Sequence, residues 1–194
     1  AEVGVTMPHP HGQIYGYSKM PLRLRIELEN ARLYYEAHGV NLLDRMLEEE
    51  EAFQDRMLWA NDHFAAFIPF FCEYPYGVYL LPKVPLSSLA DFEDEHIASF
   101  AEALKVITGS FDLLFDKKFP YMMCLYNAPV HSDDTYAGAD QYYRFHVKFF
   151  PPLRGENAIK WNASSETGAW VHGNPRKVEE TAKELREAIA RFRK

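Results

Sequence analysis

Three short apolar runs followed by one long amphipathic stretch constrain the fold of this chain more than any other feature. Arg56 to Trp59, His63 to Phe70 and Gly77 to Pro82 are β-type runs, separated by Asn61-Asp62 and by Glu73-Tyr74-Pro75-Tyr76. Turn residues at that spacing predict an antiparallel meander. Beyond it Ile97, Phe100, Leu104, Ile107, Phe111 and Leu114 step by three and four residues, which places them on one stripe of a helix. Such a stripe has to be buried, and the adjacent sheet is the surface available to it. The pattern predicts an α+β fold, an antiparallel sheet with packed helices.

The other segments extend this frame. Gln13 to Met20 reads as a strand that Pro21 breaks. Leu22 to Glu29 alternates like a strand, but Leu24, Leu28, Ala31 and Tyr35 keep helical spacing as far as Gly39, a C-terminal cap, so a helix is predicted. Asn41 caps a second helix through Leu42, Leu43, Met46 and Leu47, and the acidic run Glu48 to Glu51 reads as its solvated end. Tyr121 to Asn127 and Gln141 to Phe150 are further strands with a polar loop, Pro129 to Ala139, between them. In the second of these Tyr143, Phe145, Val147 and Phe149 share one face, and Arg144, His146, Lys148 and Phe150 the other. Ile159 to Ala163 reads as a strand, Glu166 to Trp170 as a loop. Asn174 and Pro175 then start a last helix with Val178, Ala182, Leu185, Ile189 and Phe192 on its buried side. No Gly/Ser-rich linker divides the chain, so one structural unit is expected.

Composition excludes several functions. The 21 basic against 28 acidic residues give a net charge of −7, which offers no general attraction to a nucleic-acid backbone. Cys72 and Cys124 lie far apart and outside any Cys-x-x-Cys pattern, so neither a disulfide framework nor a self-contained zinc knuckle is indicated. No apolar run approaches ~18 residues and no signal-peptide pattern opens the chain, from which a soluble, cytoplasmic protein with no membrane partner is expected.

The candidate chemistry lies in Met7-Pro8-His9-Pro10-His11-Gly12-Gln13-Ile14-Tyr15. In an extended segment His9, His11 and Gln13 point the same way. Imidazole suits attack on phosphorus near neutral pH, because one ring nitrogen reacts while the other is held by a hydrogen bond. The competing reading is a Pro-rich turn with surface histidines.

This chain resembles the galactose-1-phosphate uridylyltransferases of the histidine-triad superfamily. The resemblance rests on His9-Pro10-His11-Gly12-Gln13-Ile14-Tyr15, Tyr79-Leu80-Leu81-Pro82-Lys83, Phe119-Pro120-Tyr121, Phe149-Phe150-Pro151-Pro152-Leu153, and Lys160 with Glu166-Thr167-Gly168. It implies a histidine-triad-like fold belonging to a larger two-repeat enzyme. Residues 1–40 would end a first repeat carrying the catalytic motif, and residues 41–194 would form the second. The likeness covers the C-terminal half to three-fifths of such an enzyme, so the chain reads as the later part of a longer polypeptide.

The resemblance further implies a ping-pong transfer of UMP between hexose 1-phosphates, UDP-glucose and galactose 1-phosphate giving glucose 1-phosphate and UDP-galactose. His11 would be the nucleophile that carries the nucleotidyl group, and Gln13 would hydrogen-bond a phosphoryl oxygen of the intermediate. A glutamine amide donates to an anionic oxygen without being a proton source, which suits holding an intermediate for an acceptor. Thr6 matches a phosphate-contacting hydroxyl or is a surface threonine. Lys160 and Glu166 match positions that contact the hexose phosphate and sugar, or are strand-edge charges. His9 matches a ligand to structural zinc, whose remaining ligands would come from outside this sequence. A second metal site of some relatives matches Glu27 and His146-Val147-Lys148, but Lys148 stands in place of a ligand, and that site is expected to be absent. A homodimer is the family's usual state. Two rival functions use the same scaffold: an ADP-sugar or nucleotide-sugar phosphorylase acting through the same histidine, and a non-catalytic nucleotide-binding protein.

Overall fold

A computed structural model describes residue 3 and residues 12–130, 134–160 and 162–194. Two helices come first, α1 (Leu22–His38) and α2 (Leu42–Phe53), then strands β1 (Met57–Ala60), β2 (Phe64–Phe67) and β3 (Tyr79–Pro82). The long helix α3 (Asp94–Leu114) precedes β4 (Met122–Tyr126), the short α4 (Ala139–Tyr142) and β5 (His146–Phe150). A small hairpin of β6 (Leu153–Gly155) and β7 (Ala158–Ile159), a short α5 (Ser164–Ala169) and α6 (Val178–Phe192) complete the order.

The main sheet runs β1-β2-β3-β5-β4 with every neighbouring pair antiparallel. The expected α+β architecture is therefore present. Alternation sorts each strand between two layers. Phe64, Ala66, Leu80, Val147 and Phe149 pack with Ile107 and Phe111 of α3 and with Leu185 and Ile189 of α6. Ala65, Phe67 and Leu81 pack on the other side against Leu43 and Leu47 of α2. Because both faces are covered, Phe64-Ala65-Ala66-Phe67 is buried throughout. The same double covering encloses the polar side chains of β5.

Local chemistry accounts for several boundaries. Gly39 ends α1 in the left-handed region at φ 70°, where its N–H donates to Tyr35 O at 2.8 Å. Asn41 starts α2 by accepting from the N–H groups of Leu43 and Asp44 at 2.9 and 3.4 Å.

Other expectations need correction. Residues 13–20 form no strand: Ile14, Tyr15 and Tyr17 are exposed, and no strand pairs with them among the described residues. On α3 the buried side is His96, Ala103, Val106, Ile107, Ser110 and Phe111, while Ile97 is 54% exposed. Small residues face inward because α6 passes close by; a Cβ on Gly109 would lie 2.2 Å from the Phe192 ring. Glu50 is not solvated with its neighbours but 2% exposed, with both carboxylate oxygens on Arg56 Nε at 3.0 and 2.9 Å. Strand β5 begins at His146, since residues 139–142 turn into α4. Among the described residues only Ile159 of the predicted strand over 159–163 lies in a strand, β7, and the predicted loop at 166–170 lies largely within α5. Helix α6 starts at Val178 because Asn174 caps a preceding turn, accepting from Arg176 N–H at 3.0 Å and donating to Cys72 O at 2.9 Å. Among the described residues no helix is long and apolar enough to cross a membrane.

Candidate functional site

Thr6, His9 and His11 lie outside the described residues. Gln13 is described, exposed on the segment leading to α1, and its side-chain oxygen accepts a hydrogen bond from the Tyr15 hydroxyl. Tyr15 in turn stacks on Tyr17, ring centroids 6.2 Å apart.

Lys160 and Glu166 fall within one polar cluster. Lys160 follows β7, is buried, donates from Nζ to Glu73 O at 2.8 Å and lies over the Tyr74 ring at 5.1 Å. Glu166 is partly exposed in the first turn of α5 and accepts from Ala163 N–H at 3.2 Å. Backbone donors, helped by the charges of Lys160 and His172, hold its carboxyl below the usual range. Glu73 takes Arg23 on Oε1 at 3.1 Å, and its Oε2 sits 3.9 Å from His172 Nδ1. Both of those facing atoms are buried without a hydrogen-bond partner. Arg23 and Glu73 are the members that sequence reasoning missed. No periodicity or motif links a helix, a turn and a late loop; only the fold brings them together.

A second polar cluster lies between α1 and the sheet. Glu27 of α1 reaches Lys148 Nζ at 2.5 Å through Oε2 and His146 Nε2 at 3.0 Å through Oε1. His146 is fully buried, with Nδ1 2.9 Å from Arg144 O, while Nε2 has no well-directed hydrogen bond. Tyr79 and Tyr126 place their rings 5.0 and 4.8 Å from the Lys148 ammonium, and Tyr126 also stacks on His146 at 4.9 Å. Burial alone would raise the Glu27 carboxyl, but His146 and Lys148 outweigh it and hold it at about 2. Burial pushes the Lys148 ammonium down, opposed by Glu27. Burial, reinforced by the negative charge of Glu27, drives the hydroxyls of Tyr79 and Tyr143 up. The orphaned imidazole nitrogen and the carboxylate are metal-ligand types, yet an ammonium has no lone pair to offer while protonated. This donor set does not fit a metal ion. Lys148 instead pairs with Glu27 through its ammonium.

His63, Glu95 and His96 bring potential ligand atoms within 4.8 Å of one another near the start of α3. His96 Nδ1 accepts the Glu93 N–H at 3.1 Å, which in a neutral ring puts the proton on Nε2 and removes its lone pair. That cap opposes metal binding. A cleft of about 690 Å³ lies elsewhere, lined by Tyr35, Asn41, Asp44, Asp91, Asp140 and Arg144, and holds none of the predicted site residues.

Residues 27–186 match the family model described as galactose-1-phosphate uridyl transferase, C-terminal domain. The galactose-1-phosphate uridylyltransferase of Thermotoga maritima is 40% identical over 186 residues, 96% of this chain and 57% of that protein. The Haemophilus influenzae protein of the same name is 33% identical over 79% of this chain and 42% of its own length. The chain thus spans about half the length of these relatives. Among solved structures, a uridylyltransferase superposes with a TM-score of 0.88 at 33% identity, covering 98% of this chain and 58% of that one. An ADP-glucose phosphorylase from Arabidopsis thaliana with bound ADP-glucose shares the fold, with a TM-score of 0.70 at 21% identity over 87% of this chain and 50% of that one. By the extent of the family match, from α1 into α6, this chain belongs to the galactose-1-phosphate uridyl transferase family, in its C-terminal domain.

Proposed function

We propose that this chain is part of a UDP-glucose–hexose-1-phosphate uridylyltransferase working through a covalent histidine intermediate. The observation that carries this reading is the 40% identity, over 96% of the chain, to a protein named galactose-1-phosphate uridylyltransferase. The residue types at His9-Pro10-His11-Gly12-Gln13 support it. A ring nitrogen of His11 attacks the uridylyl phosphorus of UDP-glucose; an N–P bond forms, the P–O bond to the sugar phosphate breaks, and glucose 1-phosphate leaves. A phosphate oxygen of galactose 1-phosphate then attacks the same phosphorus, the N–P bond breaks, and UDP-galactose is released. Gln13 donates its amide N–H to a non-bridging phosphoryl oxygen and cannot protonate the adduct. Thr6 contacts phosphate through its hydroxyl. Lys160 and Glu166 serve the sugar-phosphate end, beside Glu73 Oε2 and His172 Nδ1, which lack hydrogen-bond partners.

His9 holds structural zinc only with ligands from outside this sequence, since one imidazole cannot close a tetrahedral site. The Glu27–His146–Lys148 cluster carries no metal. Residues 1–40 end a first histidine-triad-like repeat and residues 41–194 form the second. The working form is a cytoplasmic homodimer.

Incubation of the full-length protein with UDP-glucose or ADP-glucose, each labelled at the phosphorus bonded to the nucleoside, tests this reading. Acid-labile label on protein from UDP-glucose alone is expected. It should vanish in His11→Ala and persist in His9→Ala, which loses metal or stability instead. Label from ADP-glucose alone points to a phosphorylase, and label from neither to a nucleotide-binding protein. Retention of label by His11→Ala would overturn the nucleophile assignment.

A further inference from the structure

We propose that Lys148 is a built-in replacement for a metal ion, a side-chain cation whose ammonium holds α1 against the sheet. The inference deepens the metal-free reading of this cluster. Helix α1 runs for 17 residues yet buries only Leu28 and Ala31, so its apolar anchorage is slight. Its polar anchor is the partly buried Glu27, 2.5 Å from Lys148 Nζ and 3.0 Å from His146 Nε2. Lys148 is itself buried in β5, opposite Cys124 of β4, and the tyrosines of β3 and β4 flank its ammonium at 5.0 and 4.8 Å. Facing rings stabilise a desolvated cation.

Glu27 bridges its two neighbours, with Oε1 on an imidazole nitrogen that lacks a well-directed hydrogen bond and Oε2 on the ammonium. A divalent ion at that point would draw on the same two groups and neutralise the same carboxylate. The lysine does so without an exchangeable ion.

The geometry also makes the replacement reversible by one substitution. Lys148→His would leave a carboxylate and two imidazoles two residues apart on one strand face, a metal-ligand set. The full-length protein is to be compared with Lys148→His, Lys148→Met and Lys148→Met/Glu27→Gln by metal content, anomalous scattering and thermal unfolding. The expected results are no anomalous peak beside His146 in the wild type, and one additional bound zinc per chain in Lys148→His supplied with zinc. The same variant should gain a chelator-sensitive component of its Tm that the wild type lacks. Lys148→Met should lower Tm by several degrees, roughly 5 °C, because it strands a carboxylate. The double variant should recover part of that loss, and it keeps the comparison usable if Lys148→Met does not fold. A metal beside His146 in the wild type, an unchanged Tm in Lys148→Met, or no metal gained by Lys148→His would each overturn the proposal. None of these readouts depends on transferase activity, so failure of uridylyl labelling and failure of the lysine tie are separate outcomes.

Discussion

Two carboxylates, the partly buried Glu27 and the buried Glu50, show how much a single residue's partner decides. Glu27 is held at about 2 in the folded chain against an ordinary 4.5, so the unfolded chain takes up its proton first as pH falls. Its stabilisation is complete above about pH 5 and is lost on descent toward pH 2, on the order of 3 kcal/mol. Urea unfolding of wild type and Glu27→Gln at a series of pH values should give curves well separated at pH 7 that converge near pH 2. A constant separation would contradict the assignment. Glu50 relies on Arg56, which also reaches Glu179 of α6 at 3.1 Å, but here burial outweighs the guanidinium and pushes the carboxyl above its usual range. Arg56→Ala strands a carboxylate whose side chain is almost fully enclosed, and should cost about 3–5 kcal/mol in denaturant unfolding. Adding Glu50→Gln should restore part of that cost. In the sequence Glu50 is one of four consecutive glutamates, and only its position on the inward side of α2 separates it from the rest.

Among the helices and strands, the phase of α3 is the sharpest test of packing. Ile97→Ser, at an exposed position, should change stability by no more than about 0.5 kcal/mol, whereas Ile107→Ala should cost about 2–5 kcal/mol. Equal losses at the two positions would put the helix in a different rotation. Hydrophobicity read along the sequence finds Ile97 and overlooks Ala103 and Ser110, because it counts apolar side chains and not the space left by a neighbouring helix. The start of α2, by contrast, is legible from Asn41 and the apolar run behind it. Asn41→Ala should cost about 1 kcal/mol through loss of its cap bonds, seen as a lower unfolding midpoint.

The whole molecule is a sheet covered on both faces, and one set of strands serves two cores. Phe67 packs toward α2 and Phe111 toward the strands from α3, yet β2 and β3 contribute to both layers. Unfolding is therefore expected as one transition. Phe67→Ala and Phe111→Ala should each shift the far-UV circular dichroism and tryptophan fluorescence midpoints together. Two separated midpoints in either variant would show that the layers melt independently.

Whatever depends on neighbours along the chain is written in the sequence. The meander of β1 to β3, the existence of α3 and the caps at Gly39 and Asn41 all follow from local spacing or residue type. Whatever depends on distant segments waits for the layers to assemble. Their packing enclosed Glu50 and His146, drew Arg23, Glu73, Lys160 and His172 into one cluster, and turned Ile97 outward. Burial and desolvation are set by which surfaces meet, and no periodicity in a single segment encodes them.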